Sequence, residues 1–559
     1  MNTAQAQGFG SVAASPRKWD RIMLFSLCLI WLLPRAVAFF YRTPSLNWEV
    51  WEAKKLLEYG FWNRWGAIIN WHYMTGIRPD PWAFNYTNHP YPILWLYTFI
   101  YYLTGAHGVF VAAALVGFVA CMILYRVLSA QFGRSAGWWG AVLYCLASNS
   151  IYYDVDPNSF AAGAIIWPMA LAALYLGPAE RTGDSRVRPW LCGLAVLLAG
   201  QVSWFSLSAL PSLLWLTATP NTPVRDQLRH PFRNPYWKAM IVGALVTAAL
   251  FALQIAVYLP SFKEFWGYFL QQCAMNSRGP SRLAMVPNHA AKTVNLVGPG
   301  LWLPAVVGAV WMCKTRSWNR LAGAGLLYLG VFAGIGLVLN RAYYIEASFY
   351  RYLLIPVTIL AGLGLSKVSS RWLRVAAICF AVLGATFTLM KLESGQPSKV
   401  AQSIAQKIGE LTRPQDIILT NLRMMVPPYA RWDPAAEEIT QRTADRLLRF
   451  GIQDLQQARA AMLPFQRESG PCVFIVERSN PLSAGLEALL KERSSKILQC
   501  EWLPPPDAET LFLKLRMVYW KFTKRYSASG DSAPGQGGPA PIRFQVFYLP
   551  SEVFTPASQ

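Results

Sequence analysis

Apolar stretches long enough to cross a lipid bilayer recur along the first 391 residues, and polar, charged or proline-rich segments separate them. A membrane-spanning helix needs about 20 consecutive, mostly apolar residues. The pattern predicts eleven spans, of which the fifth and sixth are short and share one hairpin. They cover roughly residues 22–40, 107–128, 136–152, 160–177, 190–204, 206–219, 239–258, 296–313, 321–339, 350–366 and 374–391. The spacing therefore predicts an all-α polytopic membrane bundle.

Two longer segments do not fit this membrane pattern. Residues 41–92 are too polar to span a bilayer and too aromatic for a free linker, and WEVWEAKKLLEYGFW predicts an amphipathic helix at the membrane interface. The tail, residues 392–559, contains the strand-like runs DIILTNL, CVFIVE and FQVFYL, with helical stretches between them. We predict a membrane domain at 1–391, which includes the interfacial first external loop, and a small extracytoplasmic α/β domain at 392–559.

Composition and charge support the membrane interpretation. The chain is 54% hydrophobic and only 14% charged, which argues against a soluble enzyme and, despite the net charge of +22, against a nucleic-acid partner. Alternate loops hold 18 basic residues against four acids, so about +14 of the charge lies in one set of loops. Because basic loops face the cytoplasm, we expect a cytoplasmic N-terminus and an external C-terminal domain.

The first span has a second interpretation. Ala36, Val37 and Ala38 imitate a signal-peptide cleavage site after an apolar run, but Arg35 interrupts that run and the topology needs no cleavage. Six of the nine cysteines lie inside the predicted spans, where Cys is usually a small buried apolar residue. In the tail, Cys472 and Cys500 could form a disulfide in an oxidising compartment.

The predicted topology gathers several ionisable residues at the external membrane face. Glu49 and Glu52 begin the interfacial helix, Asp154 and Asp156 lie in NSIYYDVDPNSF between spans three and four, and Arg351 starts span ten. Ionisable residues at the edge of hydrocarbon are costly, so these are candidate functional positions. The motifs GxxxxGK[ST], GxSxG, HExxH and paired CxxC are all absent from the sequence.

Each candidate also has a structural interpretation. Glu49 can belong to the polar side of its helix, and Glu52 can pair with Lys55 three residues on. The two aspartates can be solvated turn residues or an N-cap before span four. The Arg351 side chain can run along its helix so that the guanidinium reaches the polar membrane interface. His89 precedes Pro90 and is more often structural than catalytic.

The order of these features is more specific than any one of them. An acid follows the first span, then an aromatic run with prolines, NHPYPILWLYTFIYYLTG, a basic loop in YRVLSAQFGRSAG, and a D-x-D external loop. This order resembles the multispanning GT-C glycosyltransferases over residues 20–391. The YDVD loop is similar to that of oligosaccharyltransferase catalytic subunits, and NHPYP is similar to the HPP-like motif of protein O-mannosyltransferases and lipid A aminoarabinose transferases.

This sequence also departs from the family pattern at two places. The family commonly has Asp, often Asp-Glu, in the first loop, where this chain has Asn47, Trp48 and Glu49. The WWDYG-type motif of oligosaccharyltransferases is absent from the tail. These departures favour transfer of a single sugar over transfer of a whole oligosaccharide to Asn.

The resemblance implies transfer of a sugar from a polyprenyl or dolichyl phosphate to a protein, lipid or glycan acceptor at the external face of a membrane, expected to be the plasma (inner) membrane. Glu49 is the candidate general base, and Arg351 the candidate partner of the lipid phosphate. Asp154 and Asp156 could hold a divalent metal, Mg or Mn, or orient the acceptor. Glu52 and His89 are further substrate-binding candidates, and residues 259–295 a candidate cover over the phosphate.

Two other functions compete with this one. A transporter or flippase of a lipid-linked or anionic substrate also needs many spans, but its site usually lies near the bilayer midplane between repeated halves. Here the acids cluster at one face, and the second half shows no repeat of the first. A polysaccharide polymerase or ligase would act on the same kind of lipid-linked donor.

Overall fold

The computed structural model divides into two compact units, Met1–Arg42 with Thr87–Leu392 and Thr43–Tyr86 with Glu393–Gln559. The structure describes residues 18–42, 47–58, 90–177, 187–219, 222, 224–256, 282–316, 319–340, 347–367, 370–394, 399–423, 425–426, 431–432, 440–445, 447–462, 471–503 and 541–554, and a few isolated residues between 262 and 273.

The first unit is built from helices. They are α1 (Lys18–Tyr41), α3 (Tyr91–Phe132), α4 (Arg134–Leu146), α5 (Ser148–Asp154), α6 (Ser159–Ala162), α7 (Ile166–Leu171), α8 (Val187–Val202), α9 (Leu210–Leu216), α10 (Val224–Arg229), α11 (Pro235–Ala256), α12 (Arg282–Val297), α13 (Pro299–Thr315), α14 (Arg320–Val338), α15 (Arg351–Lys367) and α16 (Arg371–Ser394). Short 3-10 turns lie at Gly163–Ile165, Trp204–Ala209, Pro231–Arg233 and Ala347–Tyr350, and a π-helical turn at Ala172–Leu176.

The described helices confirm the polytopic membrane prediction. Seven are long and apolar enough to cross a membrane, or eight if the bent pair His289–Val297 and Pro299–Thr315, which meet at 105°, forms one span. All eleven predicted spans overlap described helices, but the third is divided at Ala147 into α4 and α5, and the fifth and sixth are only the short apolar helices Val187–Val202 and Trp204–Leu216. The count is therefore lower than eleven because short helices fall below the length of a full span.

Helix α3 is longer than its predicted span. It runs over 42 residues because the aromatic segment before the span is also helical, with Pro at its first turn and a break at Gly105, whose φ is +72°. Only glycine adopts that backbone angle without strain, so Gly105 allows two helical segments to meet at an angle.

Helix α15, which begins at Arg351, lies in the centre of the first unit. It is buried along nearly its whole length and packs against α13, α14 and α4. Glycines permit the closest approach: a Cβ on Gly308 would overlap the backbone oxygen of Leu360, and one on Gly364 would overlap that of Pro304. Small residues at such contacts let membrane helices pack backbone against backbone.

The second unit contains a five-stranded mixed sheet, which confirms the small α/β domain. Its strands are β1 (Ile417–Thr420), β4 (Leu447–Arg449), β5 (Cys472–Glu477), β6 (Lys496–Trp502) and β7 (Ile542–Leu549), in the order β4-β1-β5-β7-β6. Strand β1 is parallel to β4 and β5, whereas β7 is antiparallel to β5 and β6. A separate two-stranded ladder joins β2 (Met425–Val426) and β3 (Arg431–Trp432), and the helices are α2 (Trp48–Glu58), α17 (Lys399–Leu411), α18 (Leu455–Met462) and α19 (Ala484–Arg493).

Alternation along β5 gives the sheet two apolar faces. Cys472 and Phe474 belong to one core cluster, and Val473 and Ile475 to the other. The first cluster includes Trp51, so α2 packs within this unit.

The strand order rules out the disulfide considered from the sequence. Cys472 lies on β5 and Cys500 on β6, and β7 runs between these two strands. Neighbouring strands are about 4.8 Å apart, so two strand spacings exceed the roughly 7 Å limit for bridged Cα atoms. Both thiols are free.

Candidate functional site

The first unit buries one carboxylate between two arginines. Asp154 ends α5, outside the candidate spans Tyr91–Phe132 and Ser159–Leu176, and its side chain is fully buried. Arg35 comes from α1 and Arg351 is the first residue of α15. The helices thus bring together groups 119 and 197 residues apart in the chain. We call Arg35, Asp154 and Arg351 the arginine–aspartate cluster.

Arg35 is bound on every side. Its Nε and Nη2 donate to Asp154 Oδ2 at 3.0 and 2.8 Å, and Nη2 also donates to Ser150 Oγ at 2.6 Å. Its Nη1 donates to the backbone oxygens of Trp31 at 3.1 Å and Cys145 at 2.6 Å. A guanidinium has five N–H donors, and these five hydrogen bonds account for all of them.

Arg351 is the outermost member of the cluster. Its Nη2 donates to Asp154 Oδ1, and its Nη1 donates to the backbone oxygens of Asn149 at 3.1 Å and Ser150 at 3.5 Å. Its side chain is 11% exposed, whereas that of Arg35 is 2% exposed. A ligand can therefore reach Arg351 more readily than Arg35.

The charges of the cluster do not cancel. Two guanidinium groups and one carboxylate leave one net positive charge in a buried setting. Burial alone raises the pKa of Asp154, but the charges and hydrogen bonds of Arg351 and Arg35 lower it by more, so the carboxyl is ionised and its pKa lies below the ordinary value. Buried charge is costly unless it is paired, so the cluster is suited to an anion beside Arg351.

Asp156 has a separate partner. Its Oδ2 lies 3.3 Å from Nη2 of Arg42, whose guanidinium stacks over the ring of Tyr152 at 4.0 Å from the centroid. The two aspartates of the D-x-D loop therefore pair with different arginines.

A divalent metal does not fit the described donors. Both oxygens of Asp154 accept hydrogen bonds from arginine, so a metal cation there would lie beside two guanidinium groups whose positive charge repels it. Among the residues that the structure describes, no three His, Cys, Asp or Glu side chains form a group suited to a metal ion. The metal at Asp154 and Asp156 stays a prediction from the resemblance.

The other predicted site residues fall elsewhere. Glu49 and Glu52 lie on α2 in the second unit and are 4% and 2% exposed. Glu52 was considered as a partner of Lys55, but the described ion pairs of Lys55 are with Glu58 at 2.7 Å and Asp445 at 3.5 Å. His89 lies outside the described residues.

Part of the predicted cover, residues 259–295, is described as helix α12. This helix packs against α5 and the 3-10 turn Ala347–Tyr350, next to the arginine–aspartate cluster. His289 holds it there, with Nε2 at 2.5 Å from Asn340 Oδ1 and Nδ1 at 3.3 Å from Tyr350 Oη. Tyr350 directly precedes Arg351.

Sequence reasoning missed Arg35 and Trp31 as members of the site. The signal was present, because Arg35 is an arginine inside an apolar helix, and such residues mark functional or paired positions. It was used only as an argument against signal-peptide cleavage.

The fold is that of a polytopic membrane protein with a small mixed-sheet domain. Over most of its length the chain is similar in structure to ArnT from Cupriavidus metallidurans. The structure of ArnT bound to undecaprenyl phosphate matches with a TM-score of 0.55 at 14% identity, covering 88% of this chain and 96% of ArnT. The apo structure of ArnT matches with a TM-score of 0.52 at 12% identity, covering 96% and 99% of the two chains.

A weaker structural similarity extends to the Archaeoglobus fulgidus oligosaccharyltransferase. Its structure with a tethered acceptor peptide has a TM-score of 0.43 at 11% identity, covering 81% of this chain and 69% of that one. No protein-family profile matches the sequence, and no curated protein matches it either. The similarity to ArnT confirms, at the level of the fold, the resemblance noted from the sequence.

Proposed function

We propose that the protein is an integral membrane glycosyltransferase that moves a sugar from a polyprenyl-phosphate donor to an acceptor at the extracytoplasmic face. The observation that carries the proposal is the net positive charge of the arginine–aspartate cluster, within a fold similar to that of ArnT, which was solved with undecaprenyl phosphate. We also propose that the N-terminus is cytoplasmic and that the membrane is the plasma membrane.

Arg351 is the proposed partner of the lipid phosphate. When the bond between the sugar and the phosphate breaks, negative charge grows on the departing phosphate oxygen. A guanidinium stabilises that charge with charge-assisted hydrogen bonds, and its planar shape suits two phosphate oxygens at once. Asp154 keeps Arg351 at the membrane surface, where a donor anchored by its lipid tail must react.

Glu49 is the proposed general base. The acceptor hydroxyl or amine must lose a proton as it attacks the anomeric carbon, and a carboxylate within about 2.6–3.2 Å of that group can accept it. Glu49 is buried, so bulk water has little access to its carboxylate. Glu52, Asp156 and His89 are proposed to orient the sugar or the acceptor.

The experiment uses purified protein in detergent, where no transport can occur, with radiolabelled polyprenyl-phosphate sugars and a cell-envelope extract as the source of acceptor. Glu49→Gln should abolish transfer and leave donor binding intact, because it removes the base and keeps the shape. Arg351→Ala should weaken donor binding while the protein stays folded. Normal turnover by Glu49→Gln would remove Glu49 as the base, and unchanged donor affinity in Arg351→Ala would place the phosphate elsewhere.

A transporter or flippase is the second candidate, because two membrane segments are interrupted. Residues 159–176 contain a 3-10 and a π-helical turn, and Ser203 separates the end of α8 at Val202 from the 3-10 turn Trp204–Ala209. Broken helices are typical of transporter sites. The charged cluster, however, lies at the end of α5 and not at these breaks. Vesicle uptake without any turnover in detergent would favour the transporter.

A further inference from the structure

We infer that Arg35 is a positioning residue for phosphate binding, which acts through Asp154 to fix the direction of the Arg351 guanidinium. The inference rests on the proposed function, since it assumes that Arg351 receives a lipid phosphate. It adds a residue of the first membrane helix to the site.

Arg35 itself has no donor left for a ligand. Its five N–H groups are all used within the protein, and the side chain is nearly fully buried. Its effect on a ligand must therefore pass through a neighbour, and the charged neighbour it shares with Arg351 is Asp154.

Asp154 is held as a rigid link. One oxygen, Oδ2, accepts from Arg35, from Ser150 Oγ at 3.0 Å and from Trp31 Nε1 at 3.2 Å. Because a carboxylate is planar, fixing Oδ2 also fixes the direction of Oδ1, which accepts from Arg351.

Helix α3 restrains the same carboxylate from another side. A Cβ on Gly117 would lie 2.5 Å from Cγ and 2.6 Å from Oδ1 of Asp154. The carboxyl group thus occupies the space that a side chain at 117 would need. A methyl group there would displace the carboxylate without changing any charge.

Three substitutions distinguish the positioning of Arg351 from the effect of the net charge of the cluster. Asp154→Asn raises the formal charge of the cluster from +1 to +2, and would tighten phosphate binding if charge alone mattered. If Asp154 positions Arg351, the same change weakens binding. Gly117→Ala and Arg35→Lys keep every formal charge, so only positioning predicts that they weaken binding.

The test measures binding of undecaprenyl phosphate to the full-length protein in nanodiscs, for folded material selected by size-exclusion chromatography. Loss of one well-placed charge-assisted hydrogen bond corresponds to about a tenfold or greater loss of affinity. We expect losses of about this size in Gly117→Ala, Arg35→Lys and Asp154→Asn.

Two matched variants serve as controls. In Gly334→Ala the added methyl group meets no atom within 4 Å. Arg188→Lys changes another buried arginine, which donates to the backbone oxygen of Gly177. Both should bind as the wild type does.

The inference is overturned if Gly117→Ala and Arg35→Lys bind within twofold of the wild type while Arg351→Ala loses binding. Tighter binding by Asp154→Asn would overturn it as well, in favour of net charge. If the wild type does not bind undecaprenyl phosphate, the proposed function is wrong, and thermal unfolding then decides the inference. Arg35→Lys and Arg351→Lys should shift Tm non-additively when combined, and additive shifts would contradict positioning.

Discussion

Replacing Asp154 by Asn is the sharpest test of the arginine–aspartate cluster as a source of stability. The change keeps the shape of the side chain but leaves two buried guanidinium groups without a counter-charge. Removing one partner of a buried ion pair costs about 3–5 kcal/mol. Arg351 is 11% exposed and the Asn oxygen still accepts one hydrogen bond, so we expect the lower end, about 3 kcal/mol.

The assay is unfolding in mixed micelles with increasing SDS, followed by tryptophan fluorescence. Asp156→Asn is the matched control, because it changes the neighbouring acid, whose partner Arg42 is 18% exposed, and it should cost less than Asp154→Asn because one guanidinium rather than two loses its counter-charge. Adding Arg35→Met to Asp154→Asn restores a net charge of +1 and should recover part of the loss. A free energy of unfolding for Asp154→Asn within about 0.5 kcal/mol of the wild type would refute this account of the cluster.

Three further predictions concern acid, packing and the cover helix. In the folded protein the pKa of Asp154 lies below its ordinary value of 3.8. The stability that the ionised carboxylate contributes is therefore fully present above about pH 4 and is lost as the pH falls through the lowered pKa. The free energy of unfolding measured against pH should show this loss in the wild type but not in Asp154→Asn. Gly364→Ala forces a methyl group against the backbone of α13 and should lower the free energy of unfolding by about 1–3 kcal/mol. In the control Gly330→Ala the methyl group meets nothing within 4 Å and should not change that free energy. Equal stability of the two variants would contradict the packing described. His289→Ala removes both described hydrogen bonds of its ring and should speed amide hydrogen exchange in residues 286–295; unchanged exchange would mean that His289 does not hold α12.

The membrane helices could be predicted because their signal is local. A run of apolar residues long enough to cross a bilayer is visible wherever it occurs, and each of the eleven predicted runs overlaps a described helix. The breaks within them were not visible. The 3-10 and π-helical turns in residues 159–176 depend on packing with other helices, which leaves no periodic signal in the sequence.

The partners of the predicted site residues could not be predicted. Asp154 and Arg351 were each identified as costly charges at the membrane edge, but their ion pair joins groups 197 residues apart. That pairing depends on how α5 and α15 pack. Arg35 was visible as a charge in an apolar helix, yet only the fold shows which carboxylate it binds.

The amphipathic helix near residue 50 shows a different limit of prediction from sequence. Its sequence predicts an apolar side that must be covered, and the structure packs Trp51 with the apolar cluster of the second unit. Hydrophobic periodicity shows which side of a helix is buried but does not identify the surface that covers it. The disulfide considered between Cys472 and Cys500 was wrong for a similar reason, since strand order cannot be read from the spacing of two cysteines.

The most direct test of the central claim is turnover of a radiolabelled undecaprenyl-phosphate sugar by the purified protein in detergent, with cell-envelope extract as the source of acceptor. The proposed function predicts that label leaves the lipid fraction for an acceptor with at least one donor of a panel, and that Arg351→Ala and Glu49→Gln both lose this transfer. Label that stays on the lipid with every donor, or transfer that persists in both variants, would contradict it.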